Sequence, residues 1–259
     1  MATETLRSGR FGATARRDRW WGAPVLTAVG LTAFGIYSLV VVLLGTDYLY
    51  TRGGAHYLSP FYSPDLAGWG LDPPFSSALF VVWVPLGFRV TCYYYRKAYY
   101  RAFFLSPPAC AVAGPRRRRY RGETALPYVL WNAHRYLLYL ATIVLGFLAY
   151  DAVRAFFFRE PGGSLQFGVG VGTLVLVANV VLLALFTFGC NSFRHLVGGR
   201  LDCFTCSAAA RTRHRLWRHV NVLNLRHMEW AWISLVWVGL SDLYVRLASA
   251  GVFDDPRII

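Results

Sequence analysis

The stretch "SSALFVVWVPLGFRVTCYYYRKAYYRAFFLSPPAC", residues 76–110, decides the fold. Its first half is apolar, with one arginine, Arg89, near its end. Its second half mixes tyrosines with Arg96, Lys97 and Arg101, and a cysteine stands at each end, Cys92 and Cys110. An apolar run that passes without a break into an aromatic and basic one is what a helix shows where it leaves lipid through the headgroup layer. The whole chain repeats that contrast. It is 56% hydrophobic over 259 residues, yet its formal net charge is +14. Soluble domains are rarely so apolar, and disordered basic chains are not apolar at all. Both values fit if the apolar residues lie in lipid and the charge lies outside it. Nucleic-acid binding, the other common meaning of a high positive charge, is set aside because most arginines flank apolar runs.

Working outward, five segments have the roughly 20 apolar residues that a membrane-crossing helix needs. They are 23–45, 76–97, 128–150, 167–190 and 229–249. The expected fold is an all-α integral membrane protein, a bundle of five transmembrane helices (residues 23–259) behind a basic tail (residues 1–22). The first apolar run is too long for a signal-peptide core and lacks a small-residue cleavage site, so it reads as a retained helix. Orientation follows from the basic residues of the connecting segments. The tail carries five, segment 93–127 eight (with the run Arg116 to Arg119) and segment 191–227 seven; segments 46–75 and 151–166 and the C-terminal tail carry one, two and one. The N-terminus is therefore expected in the cytoplasm and the C-terminus outside, in the plasma membrane. Asp47, Asp65, Asp72, Asp151, Glu160, Asp254 and Asp255 then fall on the outer side. The outer loop "HYLSPFYSPDLAGWGLDPPF" (56–75) has the composition of ordered turns lying along the interface. "GVGVG" (168–172) reads as small residues permitting close helix packing.

The chemistry-bearing residues share one depth. Cys92 lies near the cytoplasmic end of the second span, His134 one to two turns inside the third, Cys190 at the end of the fourth and His227 at the start of the fifth. Cys110 follows Pro107 and Pro108, which let the chain turn back toward the membrane. Each has a plain reading, the cysteines as small apolar residues and the histidines as partners of backbone or headgroup. Their coincidence in depth favours a site, because ionisable groups within a bundle are costly and usually functional. Two cysteines with two histidines suit a Rieske-type [2Fe–2S] cluster or zinc. His134 and His227 alone would suit haem b. A rival set, Cys190, His195, Cys203 and Cys206, has the spacing C-x4-H-x7-C-x2-C of a zinc knuckle, which leaves a non-redox membrane scaffold open. The five cysteines, placed near cytoplasmic span ends, are expected to remain reduced thiols. Arg89, which otherwise snorkels to the interface, Trp131 and Arg135 are the candidates to line a quinone pocket.

The segments "TCYYYRKAYYRAFFLSPPAC", "LWNAHRYLLY", "FRHLVGG", "LNLRHMEWAWISL" and "LSDLYVRL…DDPRII" resemble the single membrane subunit of the haem-free, actinobacterial type of succinate dehydrogenase, respiratory complex II. The resemblance runs from about residue 45 to the C-terminus. It implies a five-helix anchor for a flavoprotein subunit and an iron–sulfur subunit on the cytoplasmic side. It also implies a membrane-embedded Rieske-type [2Fe–2S] cluster that passes electrons to a quinone, menaquinone or ubiquinone, and it leaves a higher oligomer of the complex open. Under it, His134 and His227 are the expected histidine ligands and Cys92 and Cys110 the expected cysteines, with Cys190 the contender. The subunit alone would not oxidise succinate, since the chain has no dinucleotide fingerprint.

Overall fold

The computed structural model describes residues 11–71, 75–115, 122, 124–126, 128–200 and 202–259. The run Arg116–Arg119, with Arg7, Arg10, Arg121 and Asp72, lies outside the described residues. Among those described, eight α-helices form: α1 Gly22–Leu44, α2 Leu79–Thr91, α3 Tyr93–Ala102, α4 His134–Arg154, α5 Val171–Phe188, α6 Asn191–Gly198, α7 Ala208–Leu225 and α8 His227–Ser249. Two short antiparallel hairpins join them, β1 Leu49–Tyr50 with β2 Tyr57–Leu58, and β3 Phe157–Arg159 with β4 Leu165–Phe167. Four helical stretches are long and apolar enough to cross a membrane: Gly22–Leu44, Tyr128–Arg154 (a 3-10 turn running into α4), Val171–Phe188 and His227–Ser249.

The expected crossing at 76–97 is not one helix. It is α2, 13 residues and about 20 Å long, then α3, with Cys92 between them in an extended conformation (φ −65°, ψ 135°). The Cys92 N–H closes α2 on the Arg89 carbonyl, and the Cys92 carbonyl accepts the Arg96 N–H that opens α3. The break falls where the composition changes from apolar to tyrosine and basic. An amphipathic α3 therefore need not continue the axis of an apolar α2, and one extended residue between them permits a new direction. The other ends move by a few residues: α4 runs on to Arg154, α5 starts only at Val171 behind β4, and α8 starts at His227.

The chain forms two compact units. The first comprises Met1–Leu39 and Arg89–His134. In it the N-terminal segment pairs with the turn after α3: Gly12 N–H donates to Ala113, Ala113 N–H to Ala13, the Thr14 hydroxyl to the Ala111 carbonyl and Arg16 to the Cys110 carbonyl.

The second unit comprises Val40–Phe88 and Arg135–Ile259. Its core gathers Tyr50, Tyr57, Ala152, Ala155, Phe158, Leu176, Val245 and Ala248. The first part of the loop read as lying along the interface, Tyr57 to Ser63, is instead buried within this unit. Tyr57, Leu58, Ser59, Tyr62 and Ser63 are all buried. The reason is polar: the Ser59 hydroxyl donates to Asp242, the Ser63 hydroxyl to Asp151 (2.6 Å) and the Tyr62 hydroxyl to the Val41 carbonyl (3.0 Å). These bonds satisfy buried carboxylates and the carbonyls that the end of α1 leaves open.

The glycines of 168–172 pack against this loop and the C-terminal tail rather than a neighbouring helix. A Cβ on Gly172 would stand 2.4 Å from Tyr57 Cε2. The Asp255 carboxylate accepts the Gly172 N–H (2.7 Å) at the start of α5, where unpaired N–H groups favour an anion, and also the Tyr57 hydroxyl (2.8 Å). Gly172→Ala is expected to destabilise the protein by roughly 1–3 kcal/mol through overpacking, read as a lower unfolding temperature of the purified protein. An unchanged temperature would show that Tyr57 moves aside freely.

Candidate functional site

In the first unit the donors sit where helices begin. Cys92 is the N-cap of α3 and His134 is the first residue of α4. Cys92 is 2% exposed. The preceding residue, Thr91, places its hydroxyl 2.9 Å from His134 Nδ1. Cys92 and His134 thus belong to one neighbourhood, joined through Thr91. A hydrogen bond to one ring nitrogen sets the orientation of an imidazole and is the usual support for a ligating histidine. His134 lies inside the stretch Tyr128–Arg154, as expected, at the point where the 3-10 turn Tyr128–Ala133 gives way to the regular α-helix.

The second unit repeats the arrangement. Cys190, 3% exposed, is the N-cap of α6 and its sulfur accepts the Ser192 N–H (3.3 Å). His227, 2% exposed, is the first residue of α8. The residue before Cys190 is Gly189, whose Cβ position lies 3.4 Å from His227 Nδ1. The Gly189 carbonyl accepts the Asn224 amide (2.8 Å), and the Phe186 ring stacks on the His227 imidazole at 5.0 Å and 8°. Each unit therefore has one buried cysteine whose preceding residue lies close to a histidine, bonded to it in the first unit and only near it in the second. Thr91, Gly189, Asn224 and Phe186 were not singled out from the sequence. Their signal, adjacency to a cysteine or spacing from a histidine, has meaning only once helix starts are known.

Cys110 stands elsewhere. It is exposed, and its sulfur is 4.0 Å from Arg101 Nη2 in the last turn of α3. Cys92 caps the other end of that helix, about 15 Å away along its axis. The prolines turn the chain, but they fold it onto the N-terminal segment. Cys203 and Cys206, expected as reduced thiols or zinc ligands, are joined in a disulfide. Two cysteines three apart on a loop bring their Cα atoms to 5.8 Å, within the range such a bond needs. Within each unit, no group of three or more His, Cys, Asp or Glu among the described residues is gathered to hold a metal ion.

The quinone candidates are divided between the two units. Arg89 donates to the Tyr95 hydroxyl and lies 5.5 Å from that ring's centroid. Trp131 packs with Tyr99 (6.2 Å) and Tyr100 (6.4 Å), under the Arg96 guanidinium (5.6 Å). Its indole N–H is buried and meets no acceptor among the described residues. Burial pushes the Tyr99 and Tyr100 phenols up from their ordinary range, so both stay protonated, and Tyr99 donates to the Val90 carbonyl (3.0 Å). Arg135 lies instead in the second unit, on a cavity of about 660 Å³ that His195, Arg200 and Arg213 also line.

Comparison with known proteins bears on this arrangement. The family described as actinobacterial succinate dehydrogenase subunit SdhC matches residues 22–251. A chain of the solved structure "Mycobacterium smegmatis Sdh1 complex in the apo form" is 42% identical, with a TM-score of 0.83, over 95% of this chain and 94% of that one. No curated protein matches. With a family match across nearly the whole chain, and a fold and sequence shared with a subunit of that complex, the chain belongs to the actinobacterial succinate dehydrogenase subunit SdhC family, whose members are membrane-anchor subunits of the enzyme.

Proposed function

We propose that this subunit ties the flavoprotein and iron–sulfur subunits of succinate dehydrogenase to the cytoplasmic face of the plasma membrane. We further propose that it takes part in delivering electrons to a quinone, with Cys92, Cys190, His134 and His227 as ligands of a Rieske-type [2Fe–2S] cluster. The observation that carries the reading is the pair of matching cysteine–histidine neighbourhoods, Thr91–Cys92 with His134 and Gly189–Cys190 with His227. Two thiolates and two imidazoles are the donor set of such a cluster, which supplies one-electron transfer at a potential raised by its histidines. The burial of Cys190 and the exposure of Cys110 support Cys190 as the second cysteine.

The chain's own residues have definable parts. Cys92 and Cys190 stand at helix starts, beside N–H groups that have no partner within the helix. The Ser192 N–H on the Cys190 sulfur withdraws charge from it, which tunes potential. Thr91 orients His134, and the Phe186 ring stacks on His227. The Trp131 N–H is a donor suited to a quinone carbonyl, with Arg89 and the protonated tyrosines of α3 as further donors. The basic, tyrosine-rich α3 is the expected surface for the iron–sulfur subunit. The M. smegmatis chain comes from an Sdh1 complex, which supports assembly with other succinate dehydrogenase subunits here. The same distribution of basic segments supports a cytoplasmic N-terminus.

Cysteine replacement tests the ligand set. In the assembled complex, Cys190→Ser is expected to remove one cluster's share of iron and labile sulfide. Cys110→Ser is expected to leave both unchanged. Loss of iron with Cys110→Ser and retention with Cys190→Ser would overturn the assignment.

A further inference from the structure

The cavity on the second unit is lined by Arg135, Arg200, Arg213 and His195, with no carboxylate among the described residues of its wall. Three guanidiniums converge on a space of about 660 Å³, a volume typical of ligand sites. Arg213 is held in place: its Nε donates to the Val197 carbonyl (2.9 Å) and its Nη2 to the Gly199 carbonyl (2.7 Å), at the end of α6. Holding one arginine on the backbone while two more approach the same space is costly in repulsion, which an anion would relieve.

The rest of the wall is Leu138, Tyr139, Leu196, Gly199 and Ser192, so it is largely apolar. Leu138 and Tyr139 belong to α4, one of the membrane-crossing stretches. Arg135, Tyr139 and Ile143 follow at i, i+4 and i+8, so they share one face of α4. All three are exposed, Tyr139 at 47% and Ile143 at 57%. The cavity thus continues from a cationic mouth at the start of the helix into an apolar stripe along the span. A phosphate alone would use only the mouth, and a polar protein loop would not use the stripe. An amphiphile with an anionic head uses both.

We propose that this cavity binds the phosphate of an anionic phospholipid, with Arg135, Arg200 and Arg213 on the headgroup and an acyl chain along Tyr139 and Ile143. The proposal needs only that α4 crosses the membrane and is independent of the redox reading. Each arginine removed weakens binding by about five-fold, the effect of one basic residue at an anionic headgroup.

The test uses the complete succinate dehydrogenase complex, delipidated in detergent and then given phosphatidylglycerol, phosphatidylcholine or inorganic phosphate. Bound lipid is counted by native mass spectrometry. Phosphatidylglycerol is expected to bind and phosphatidylcholine to bind at least five-fold less; Arg200→Gln is expected to lower the phosphatidylglycerol affinity about five-fold. Inorganic phosphate in excess should not displace the lipid. Arg213→Lys, which keeps the charge but loses the paired carbonyl contacts, covers the case in which an Arg213 deletion fails to fold. It should bind more weakly than the native protein yet remain assembled. Equal binding of both lipids, displacement by phosphate alone, or unchanged affinity in Arg200→Gln would each overturn the proposal. So would loss of the soluble subunits in Arg200→Gln with lipid retained, which would assign this face to a partner protein.

Discussion

Replacing His134 or His227 by alanine in the assembled complex is expected to lower quinone reduction by roughly 100-fold or more. Succinate-dependent reduction of a soluble dye should continue. The scale follows from metal sites in general, where loss of a hydrogen-bonded support alone costs about 10–100-fold; loss of a ligand belongs at or beyond the upper end. Thr91→Val should show the smaller effect, about ten-fold, because the imidazole remains and only its orienting hydroxyl is gone. The dye reaction separates the anchor from the chemistry. If His134→Ala removes both activities together, the residue holds the subunits and not the redox group. If it removes neither, His134 is a helix-start residue bonded to Thr91 and nothing more.

Asp242→Asn is expected to destabilise the subunit by roughly 3–5 kcal/mol, the cost of leaving a buried charge without its partner. Arg246 donates from Nε to both Asp242 oxygens (3.1 and 2.9 Å), from Nη1 to the Thr46 carbonyl (2.5 Å) and from Nη2 to the Val41 carbonyl (3.1 Å). Its Cζ also lies 5.6 Å from the centroid of Tyr62. Asp242 has no exposed surface and accepts the Ser59 hydroxyl as well. One ion pair thus links α8 to the end of α1 and to the buried loop. Thermal unfolding of the purified complex checks the size of the loss. Asp242→Leu with Arg246→Met, which removes both charges, should recover part of the stability lost in Asp242→Asn. If the double variant is worse than the single one, the carbonyl contacts of Arg246 and not the ion pair dominate.

The membrane-crossing helices were legible because apolar length and flanking charge are properties of the chain alone. The runs at 23–45, 128–150, 167–190 and 229–249 all correspond to helices. The run at 76–97 misled because hydropathy carries no backbone angle: one extended residue, Cys92, divides it. The outer loop was legible as turns, but its burial depends on Ser59 and Ser63 meeting Asp242 and Asp151, residues 183 and 88 positions away. Asp242 and Arg246 themselves stand at i and i+4 on one apolar helix, a signal present in the sequence. Among the candidate donors, Cys92, Cys190 and His227 were legible as a buried set through their place at span ends. Cys110 was preferred to Cys190 because Pro107 and Pro108 predict a turn but not its direction. The Cys203–Cys206 bond was missed because the compartment argued for reduced thiols and the C-x2-C spacing, which suits a zinc ligand pair as well as a disulfide, was read as the former.

The measurement that bears most directly on the central claim is the spectroscopy of the purified complex reduced with succinate or dithionite. A Rieske-type EPR signal, lost in both Cys92→Ser and His227→Ala while the signals of the soluble subunits remain, is the predicted result. Sharp haem α and Soret bands, or a Rieske-type signal that survives those two substitutions, would contradict it.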